Sequence, residues 1–108
     1  MEINSDLFCQ SGSNSNGNWI KFADGTMVCY GSGSVTASTS YATITYPEVF
    51  SKTPDLQLTP GYSYYADISM TYGSPTASSF QAFPRRVSTG AVVDQTQYFS
   101  WLAIGRWK

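Results

Sequence analysis

The order of apolar and polar residues along this chain predicts strands throughout and no helix. No window repeats apolar side chains at positions i, i+3, i+4 and i+7, and Gly, Pro, Ser and Thr interrupt every candidate helix. Short runs of β-branched and aromatic residues recur instead, separated by turn residues. We predict strands at residues 19–22, 26–30, 41–46, 55–59, 64–72, 78–83 and 97–107. Antiparallel strands joined mostly by short loops favour an all-β antiparallel sandwich of six to seven strands.

The first two of these strands form the clearest local prediction, a tight β-hairpin. Asp24-Gly25 stands between Trp19–Phe22 and Thr26–Tyr30, and it supplies the positive φ of a two-residue primed turn or a bulged three-residue turn. The preceding residues 10–18 contain only Gln, Ser, Gly and Asn, which predicts a polar loop. We therefore divide the chain into an N-terminal connector, residues 1–18, and a β-sandwich domain, residues 19–108.

Glycines and prolines are expected to interrupt the later strands. Gly31-Ser32-Gly33 is interpreted as a connector, Pro47 follows the strand at residues 41–46, and Pro84 is expected to stop the strand at residues 78–83. Proline lacks the backbone N–H that a central strand donates to its neighbour, so a strand is expected to end where it stands.

The last predicted strand is apolar on both faces around Trp101–Ile104. A strand with one solvated face alternates apolar and polar residues, and this one does not. Either the strand lies in the centre of its sheet, or its second face is covered by another copy of the chain. The second alternative predicts an oligomer.

The charge of the chain argues against several classes of partner. Only 12% of the 108 residues are charged, and the formal net charge is −1. Because no basic stripe or acidic tail is present, we expect no nucleic acid partner. No apolar run approaches the roughly 20 residues that a membrane span needs, so we expect no membrane insertion. Residues 1–6 show no secretory signal, and we expect either a piece of a longer protein or a domain that stands alone.

Residues that carry most enzyme chemistry are scarce. The chain has no His and two Cys, so a zinc site of ordinary ligation lacks its ligands, and a Ser or Cys nucleophile lacks its imidazole partner. We expect no cofactor, and we expect Cys9 and Cys29 to be free thiols because no secretory signal is present. The catalytic arrangement that the composition still allows is a pair of carboxylates, as in glycosidases. Its candidates are Asp67 and Asp94. We predict that the protein is not an enzyme.

Three segments together resemble the C-terminal domains of bacteriophage tail fibres. Residues 16–31 read NGNWIKFADGTMVCYG, which is similar to the opening hairpin of that family. Residues 42–54 read ATITYPEVFSKTP, similar to a strand that runs into a Pro and a Phe-Ser-x-x-Pro connection. Residues 101–107 read WLAIGRW, similar to the closing strand of the family. The resemblance implies a virion protein at the distal end of a tail fibre.

The second half of the chain also resembles the H-type lectin domain. The two share the Phe-Ser-x-x-Pro connection and the closing Trp-x-Ala-Ile-Gly. H-type lectins are six-stranded sandwiches that form trimers and bind sugars near the contacts between protomers. This resemblance implies a homotrimer and a carbohydrate ligand. Residues 61–90 match neither group closely, so the sugar contacts of the lectins are not carried over to this chain.

Five residues of this unmatched stretch are our candidates for a glycan site. Tyr62 and Tyr65, which we expect to be exposed, offer aromatic faces that stack on the C–H surface of a sugar. Asp67 offers a carboxylate that accepts hydrogen bonds from sugar hydroxyls. Arg85 and Arg86 would hold phosphate or acidic groups of a surface polysaccharide.

The aromatic and basic residues also have structural interpretations. Alternate tyrosines fill a sandwich core with their hydroxyls at the rim, and we expect this of Tyr64 and Tyr72. We expect Trp19 and Trp101 in the core, and Trp107 packed on a neighbouring chain. The two arginines would then lie in a solvated loop or form ion pairs between protomers.

These observations leave three hypotheses for the function. In the first, the domain is the receptor-binding tip of a phage or prophage tail fibre, a trimer that binds a bacterial surface glycan such as lipopolysaccharide. In the second, it is a structural cap that locks the fibre trimer without binding a receptor. In the third, it is an enzyme that acts on the surface glycan.

Overall fold

In the computed structural model, which describes residues 9–108, every regular element is a β-strand. The strands are β1 (Cys9–Asn14), β2 (Gly17–Phe22), β3 (Thr26–Val35), β4 (Ala42–Thr45), β5 (Asp55–Pro60), β6 (Ile68–Gly73), β7 (Ser79–Arg86) and β8 (Gln97–Arg106). They form a five-stranded sheet of order β1-β2-β3-β8-β5 and a three-stranded sheet of order β4-β7-β6. All pairings are antiparallel. The predicted antiparallel sandwich is confirmed, with eight strands in the described residues. None of these residues forms a helix long and apolar enough to cross a membrane.

One strand, β1, is not among the seven that the sequence predicts. It lies where we predicted a polar loop at residues 10–18. That prediction is wrong for Cys9–Asn14, which pairs with β2 along its whole length. A strand forms from Ser, Gly and Asn here because β1 is an edge strand, whose hydrogen bonds come from its single neighbour and whose polar side chains protect the edge. The Trp19 ring also lies so close over Gly12 that an added Cβ would stand 2.5 Å from it. The domain boundary at residue 18 stays a prediction, and residues 1–8 lie outside the described residues.

The β2–β3 hairpin is confirmed, and its turn is the bulged three-residue type. The N–H of Gly25 donates to the carbonyl of Phe22 at 3.0 Å, and Gly25 has a φ of 100°. Asp24 stabilises the turn because its Oδ1 accepts from the N–H of Thr26 at 2.9 Å. This hydrogen bond lowers the pKa of the Asp24 carboxyl.

The interpretation of Gly31–Gly33 as a connector is wrong, because β3 continues through it to Val35. Gly31 lies opposite Trp101, and Gly33 lies opposite Phe99, both on the central strand β8. The two aromatic rings occupy the space above these glycines, and a Cβ on Gly33 would stand 2.8 Å from the Phe99 ring. Glycine is therefore present to make room for the rings, and the strand is not interrupted.

Pro84 does not stop β7, which continues to Arg86 between β4 and β6. The N–H of Val87 donates to the carbonyl of Asp67, so the odd-numbered residues of β7 point their N–H groups toward β6. The nitrogen of Pro84 faces the opposite side, where pairing with β4 has already ended at Ala82. The missing N–H therefore removes no hydrogen bond of the sheet.

The core lies between the two sheets and is built from residues that alternate along β7 and β8. Phe80 and Ala82 of β7 face Phe99, Trp101 and Ala103 of β8, and each is at most 3% exposed. The other buried apolar residues of this cluster are Met27, Cys29, Val35, Tyr46, Phe50 and Leu56. The predicted core position of Trp101 is confirmed, and Trp19 packs against the cluster from the side.

The two cysteines are free thiols, in agreement with expectation. Cys29 is fully buried, and this burial raises the pKa of its thiol to about 11. Trp107, expected on a neighbouring chain, instead packs against its own core and donates from Nε1 to the carbonyl of Phe22 at 2.8 Å.

Candidate functional site

Three of the five predicted site residues meet at one end of the three-stranded sheet. The register places Arg86, the last residue of β7, opposite Ile68, so that Asp67 lies directly beside it. Arg86 Nε donates to Asp67 Oδ1 at 2.7 Å. The guanidinium carbon of Arg86 also lies 3.7 Å from the centre of the Tyr65 ring, within the range of a cation–π contact.

Two further residues complete this arrangement. Ser88 donates to Asp67 Oδ2 from its hydroxyl at 2.6 Å and from its N–H at 3.2 Å. The Tyr65 hydroxyl donates to Asp94 Oδ1 at 2.6 Å. We call Tyr65, Asp67, Arg86, Ser88 and Asp94 the end cluster. The sequence identifies Asp94 only as a candidate for a carboxylate pair, and Ser88 carries no signal in the sequence, because its role depends on the loop that follows β7.

The hydrogen bonds of the end cluster set the charge of its members. Those from Ser88, followed by the one from Arg86, lower the pKa of Asp67 to about 2. The bond to Asp94 raises the pKa of Tyr65, and the bond to Asp67 raises that of Arg86. At neutral pH, Asp67 is therefore a carboxylate with no proton to donate, which is unsuited to a general acid. Among residues 9–108, no three His, Cys, Asp or Glu side chains lie together as a metal site would need.

The end cluster retains groups that a ligand can use. The two Nη atoms of Arg86 make no hydrogen bond to the described residues, and Asp94 uses only one of its carboxylate oxygens. Arg86 and Asp67 are each only about 30% exposed, so the ion pair is partly sheltered from solvent. The cluster therefore presents fixed donors and acceptors at a small, rigid surface.

The other tyrosines of residues 62–72 are exposed. Tyr62 is 82% exposed, as predicted, and its carbonyl accepts from Gln97 Nε2 at 3.4 Å. Tyr64 packs edge-on against Tyr65 with ring centres 5.0 Å apart. The predicted core positions of Tyr64 and Tyr72 are wrong, since they are 72% and 45% exposed. Tyr64 lies outside the strand because β6 begins only at Ile68. Tyr72 lies opposite the inward Ala82, but β6 is an edge strand, and its ring stays partly exposed.

Arg85 does not belong to the end cluster. Consecutive residues of a strand point to opposite faces, so Arg85 and Arg86 lie on different sides of the three-stranded sheet. Arg85 Nη1 donates to the carbonyls of Ser40 and Pro84, each at 2.7 Å. Its guanidinium carbon lies 5.6 Å from the centre of the Phe83 ring. The five predicted residues thus do not form one site, because Tyr65, Asp67 and Arg86 lie in the end cluster and Arg85 lies on the other side of the sheet.

A different kind of surface covers the outside of the five-stranded sheet. The strand β8 lies between β3 and the edge strand β5, and its second face is open to solvent within one protomer. The register puts Ile20, Val28 and Ile104 in one row across the sheet, and Tyr30 and Leu102 in the next. We call these five residues the apolar face. Tyr30 and Ile104 are 42% and 43% exposed.

Comparisons with known proteins identify a shared fold. No protein-family model matches the chain, and no curated protein matches it. Among solved structures, the chain is similar to a P. aeruginosa R2 pyocin fibre comprising C-terminal residues 323–691, with a TM-score of 0.69 and 16% identity. That match covers 92% of this chain and 26% of the fibre chain. A P. aeruginosa R1 pyocin fibre comprising C-terminal residues 323–701 gives a TM-score of 0.69 and 17% identity, covering 90% of this chain and 28% of the fibre chain.

An N-truncated R1-type pyocin tail fibre of similar length gives a TM-score of 0.66 at 14% identity, over 91% of this chain and 87% of the other. The fold is shared with tail fibres. At this identity the likeness concerns the fold, and the chain spans about a quarter of the length of the longer fibre chains. The predicted resemblance to tail-fibre domains is thus supported in its architecture, and the resemblance to H-type lectins stays a prediction.

Proposed function

We propose that this chain is the distal domain of a phage or prophage tail fibre and binds a carbohydrate on the bacterial surface as a homotrimer. Its fold is similar to that of pyocin fibres over nine-tenths of its length. The ligand would be a surface glycan such as lipopolysaccharide, and the location would be the tip of the fibre in the virion.

The observation that carries this proposal is the end cluster with the exposed ring of Tyr64 against it. Arg86 is held over the Tyr65 ring while it is bonded to Asp67, which restricts the direction of its Nη donors. Tyr64, which packs edge-on against Tyr65, exposes aromatic surface next to the cluster. An apolar ring face next to fixed polar groups is the combination that binds a sugar, whose C–H face is apolar and whose hydroxyls need hydrogen-bond partners.

The apolar face supports the homotrimer. Its five side chains lie on three adjacent strands of the five-stranded sheet. An exposed contiguous apolar patch of this kind is typical of an interface between proteins. We propose that it packs against the neighbouring protomers. A trimer carries three end clusters, and avidity then compensates for the weak affinity of a single shallow sugar site.

The test is a binding screen of the intact trimer against a glycan array and a panel of lipopolysaccharides. With a ligand in hand, Tyr65→Ala, Asp67→Ala and Arg86→Ala should each abolish binding while light scattering still shows a trimer. Tyr72→Ala and Lys52→Ala are the matched controls, because they remove an exposed tyrosine and an exposed cation away from the cluster. Binding that survives all three cluster substitutions would place the receptor site elsewhere.

One observation favours a second candidate function, a trimerisation cap without receptor binding. The charged groups of the end cluster are partnered by one another, Arg86 with Asp67 and Asp94 with Tyr65, as they are in a purely structural network. A folded trimer that binds nothing in the screen would support the cap. Release of reducing ends from a bound polysaccharide would instead support an enzyme.

A further inference from the structure

The outer face of the three-stranded sheet carries an aromatic surface that is separate from the end cluster. The rings of Tyr41 and Phe83 lie with their centres 5.4 Å apart and are inclined by 39°. Arg85 lies beside Phe83, with its guanidinium carbon 5.6 Å from the ring centre. We call Tyr41, Phe83 and Arg85 the aromatic shelf. Tyr41 is 42% exposed, and Phe83 is half-buried.

The position of the Phe83 ring is set by a glycine on the neighbouring strand. A Cβ added to Gly73 would stand 2.8 Å from Phe83 Cε2, so the ring lies low over the backbone of β6. The outward residues beside it are Thr43, opposite Gln81, and Thr71, opposite Phe83 itself. Hydroxyl and amide groups thus surround an aromatic surface that lies close to the sheet.

The two neighbouring arginines differ in charge environment. Arg86 is neutralised by Asp67 in an ion pair of 2.7 Å. The ion pairs in the described residues are this one and Lys21–Glu48, so Arg85 has no carboxylate partner. Its bonds to the carbonyls of Ser40 and Pro84 hold the guanidinium in place without neutralising it. Arg85 is therefore an oriented, uncompensated cation next to an aromatic surface.

We propose that the aromatic shelf binds a sugar that carries an anionic group, either a carboxylate or a phosphate. The C–H face of the pyranose would stack on Phe83 and Tyr41, and the anion would bind the free Nε and Nη2 donors of Arg85. This inference rests on the proposed function and deepens it, because it divides the glycan between two surfaces. The end cluster takes the uncharged part, and the shelf takes the acidic part. The shelf remains accessible when the apolar face of the opposite sheet is buried in a trimer.

The experiment is a titration of the isotope-labelled intact trimer followed by backbone amide NMR shifts. The probes are galacturonic acid and mannose 6-phosphate, with galactose and mannose as their neutral counterparts. We expect the acidic sugars to shift the amides of β7 around Phe83 and Arg85, and the neutral sugars to leave them unchanged. The probe that binds identifies the anion as carboxylate or phosphate.

Three substitutions test the shelf. Arg85→Gln should weaken binding of the acidic sugar roughly tenfold or more, since a hydrogen bond to a charged group is lost. Lys52→Gln, a control that removes an exposed cation belonging to neither the shelf nor the end cluster, should leave that binding unchanged. Gly73→Ala should weaken it by displacing the Phe83 ring without removing any polar group. Far-UV circular dichroism checks that each variant keeps its strands.

Several outcomes would overturn the inference. They are no shift at the shelf with either acidic sugar, an equal response to the neutral sugars, or binding of the acidic sugar that survives Arg85→Gln. In those cases the proposed function still stands if the trimer binds a glycan through the end cluster in the array. If the trimer binds no glycan at either surface, the proposed function fails together with the inference.

Discussion

The two outer faces of the sandwich differ in what they offer to other molecules. The apolar face of the five-stranded sheet carries aliphatic side chains and one tyrosine in adjacent rows, and the first row ends at Asp55 on the edge strand β5. The outer face of the three-stranded sheet carries hydroxyls, an amide and two aromatic rings beside Arg85, which has no carboxylate partner among residues 9–108. The first is suited to burial against another copy of the chain, and the second is suited to a hydrated, polar ligand.

This difference arises although both sheets follow the same inward pattern. β7 and β8 both alternate, and their inward residues form the shared core. Only the outward positions diverge. Those of β7 are Ser79, Gln81, Phe83 and Arg85, and those of β8 are Tyr98, Ser100, Leu102, Ile104 and Arg106. The inward positions are thus constrained by folding in both strands, and the outward positions are free to serve assembly on one side and recognition on the other.

The largest effect is expected from a pair of substitutions on β7 that differ only in the face they alter. Phe80→Ala removes a ring that is fully buried in the core, and it should lower the free energy of unfolding by about 3–5 kcal/mol. Phe83→Ala removes a half-exposed ring of the shelf and should lower it by about 1 kcal/mol. Urea unfolding measures both values. Equal losses would mean that the outer face is also buried, and the contrast between the faces would be lost.

A second substitution tests the apolar face. Leu102→Glu places a carboxylate where no cation is opposite it, because the residues opposite are Tyr30 and Gln57, and Asp55, opposite the next outward residue Ile104, is itself acidic. Burial of that charge without a partner costs several kcal/mol, so the proposed trimer should dissociate into folded monomers. Light scattering gives the mass. The matched control is Thr45→Glu, which adds the same charge at an exposed position of β4 and should leave the trimer intact. A trimer that tolerates Leu102→Glu would rule out this face as the contact.

The sequence predicts most of the scaffold because alternation and turn residues are local signals. The Asp24-Gly25 turn and the inward positions of β8 follow from them directly. The errors have a common cause. At Gly12, Gly33 and Pro84, the residue reads locally as a break, but a ring above it or the end of a neighbouring strand makes it acceptable within a strand. Such compensation depends on contacts between distant segments, which a local pattern does not contain.

The sequence predicts only part of the candidate site, again because some of its contacts join segments that are distant in the chain. Tyr65, Asp67 and Arg86 carry recognisable chemistry, and the sequence singles them out. Asp94 and Ser88 join them only because the loop after β7 and the segment before β8 fold back over Tyr65 and Asp67. The division of Arg85 from Arg86 depends on whether β7 continues past Pro84, and the expected stop at Pro84 concealed it.

The smallest effect concerns the response of the end cluster to acid. The folded pKa of Asp67, about 2, lies below the ordinary value of 3.8, so the cluster stabilises the fold above pH 4. That contribution is lost as the pH falls from about 4 through about 2. Asp67→Asn should flatten this part of the pH profile, and Ser88→Ala should reduce it, because Ser88 provides the strongest hydrogen bonds to the carboxylate. Urea midpoints at several pH values between 5 and 2 measure the effect for each variant. If Asp67→Asn and the parent protein lose stability in parallel over this range, the acid response comes from other carboxylates. The ion pair of the end cluster would then add nothing measurable to the stability of the fold.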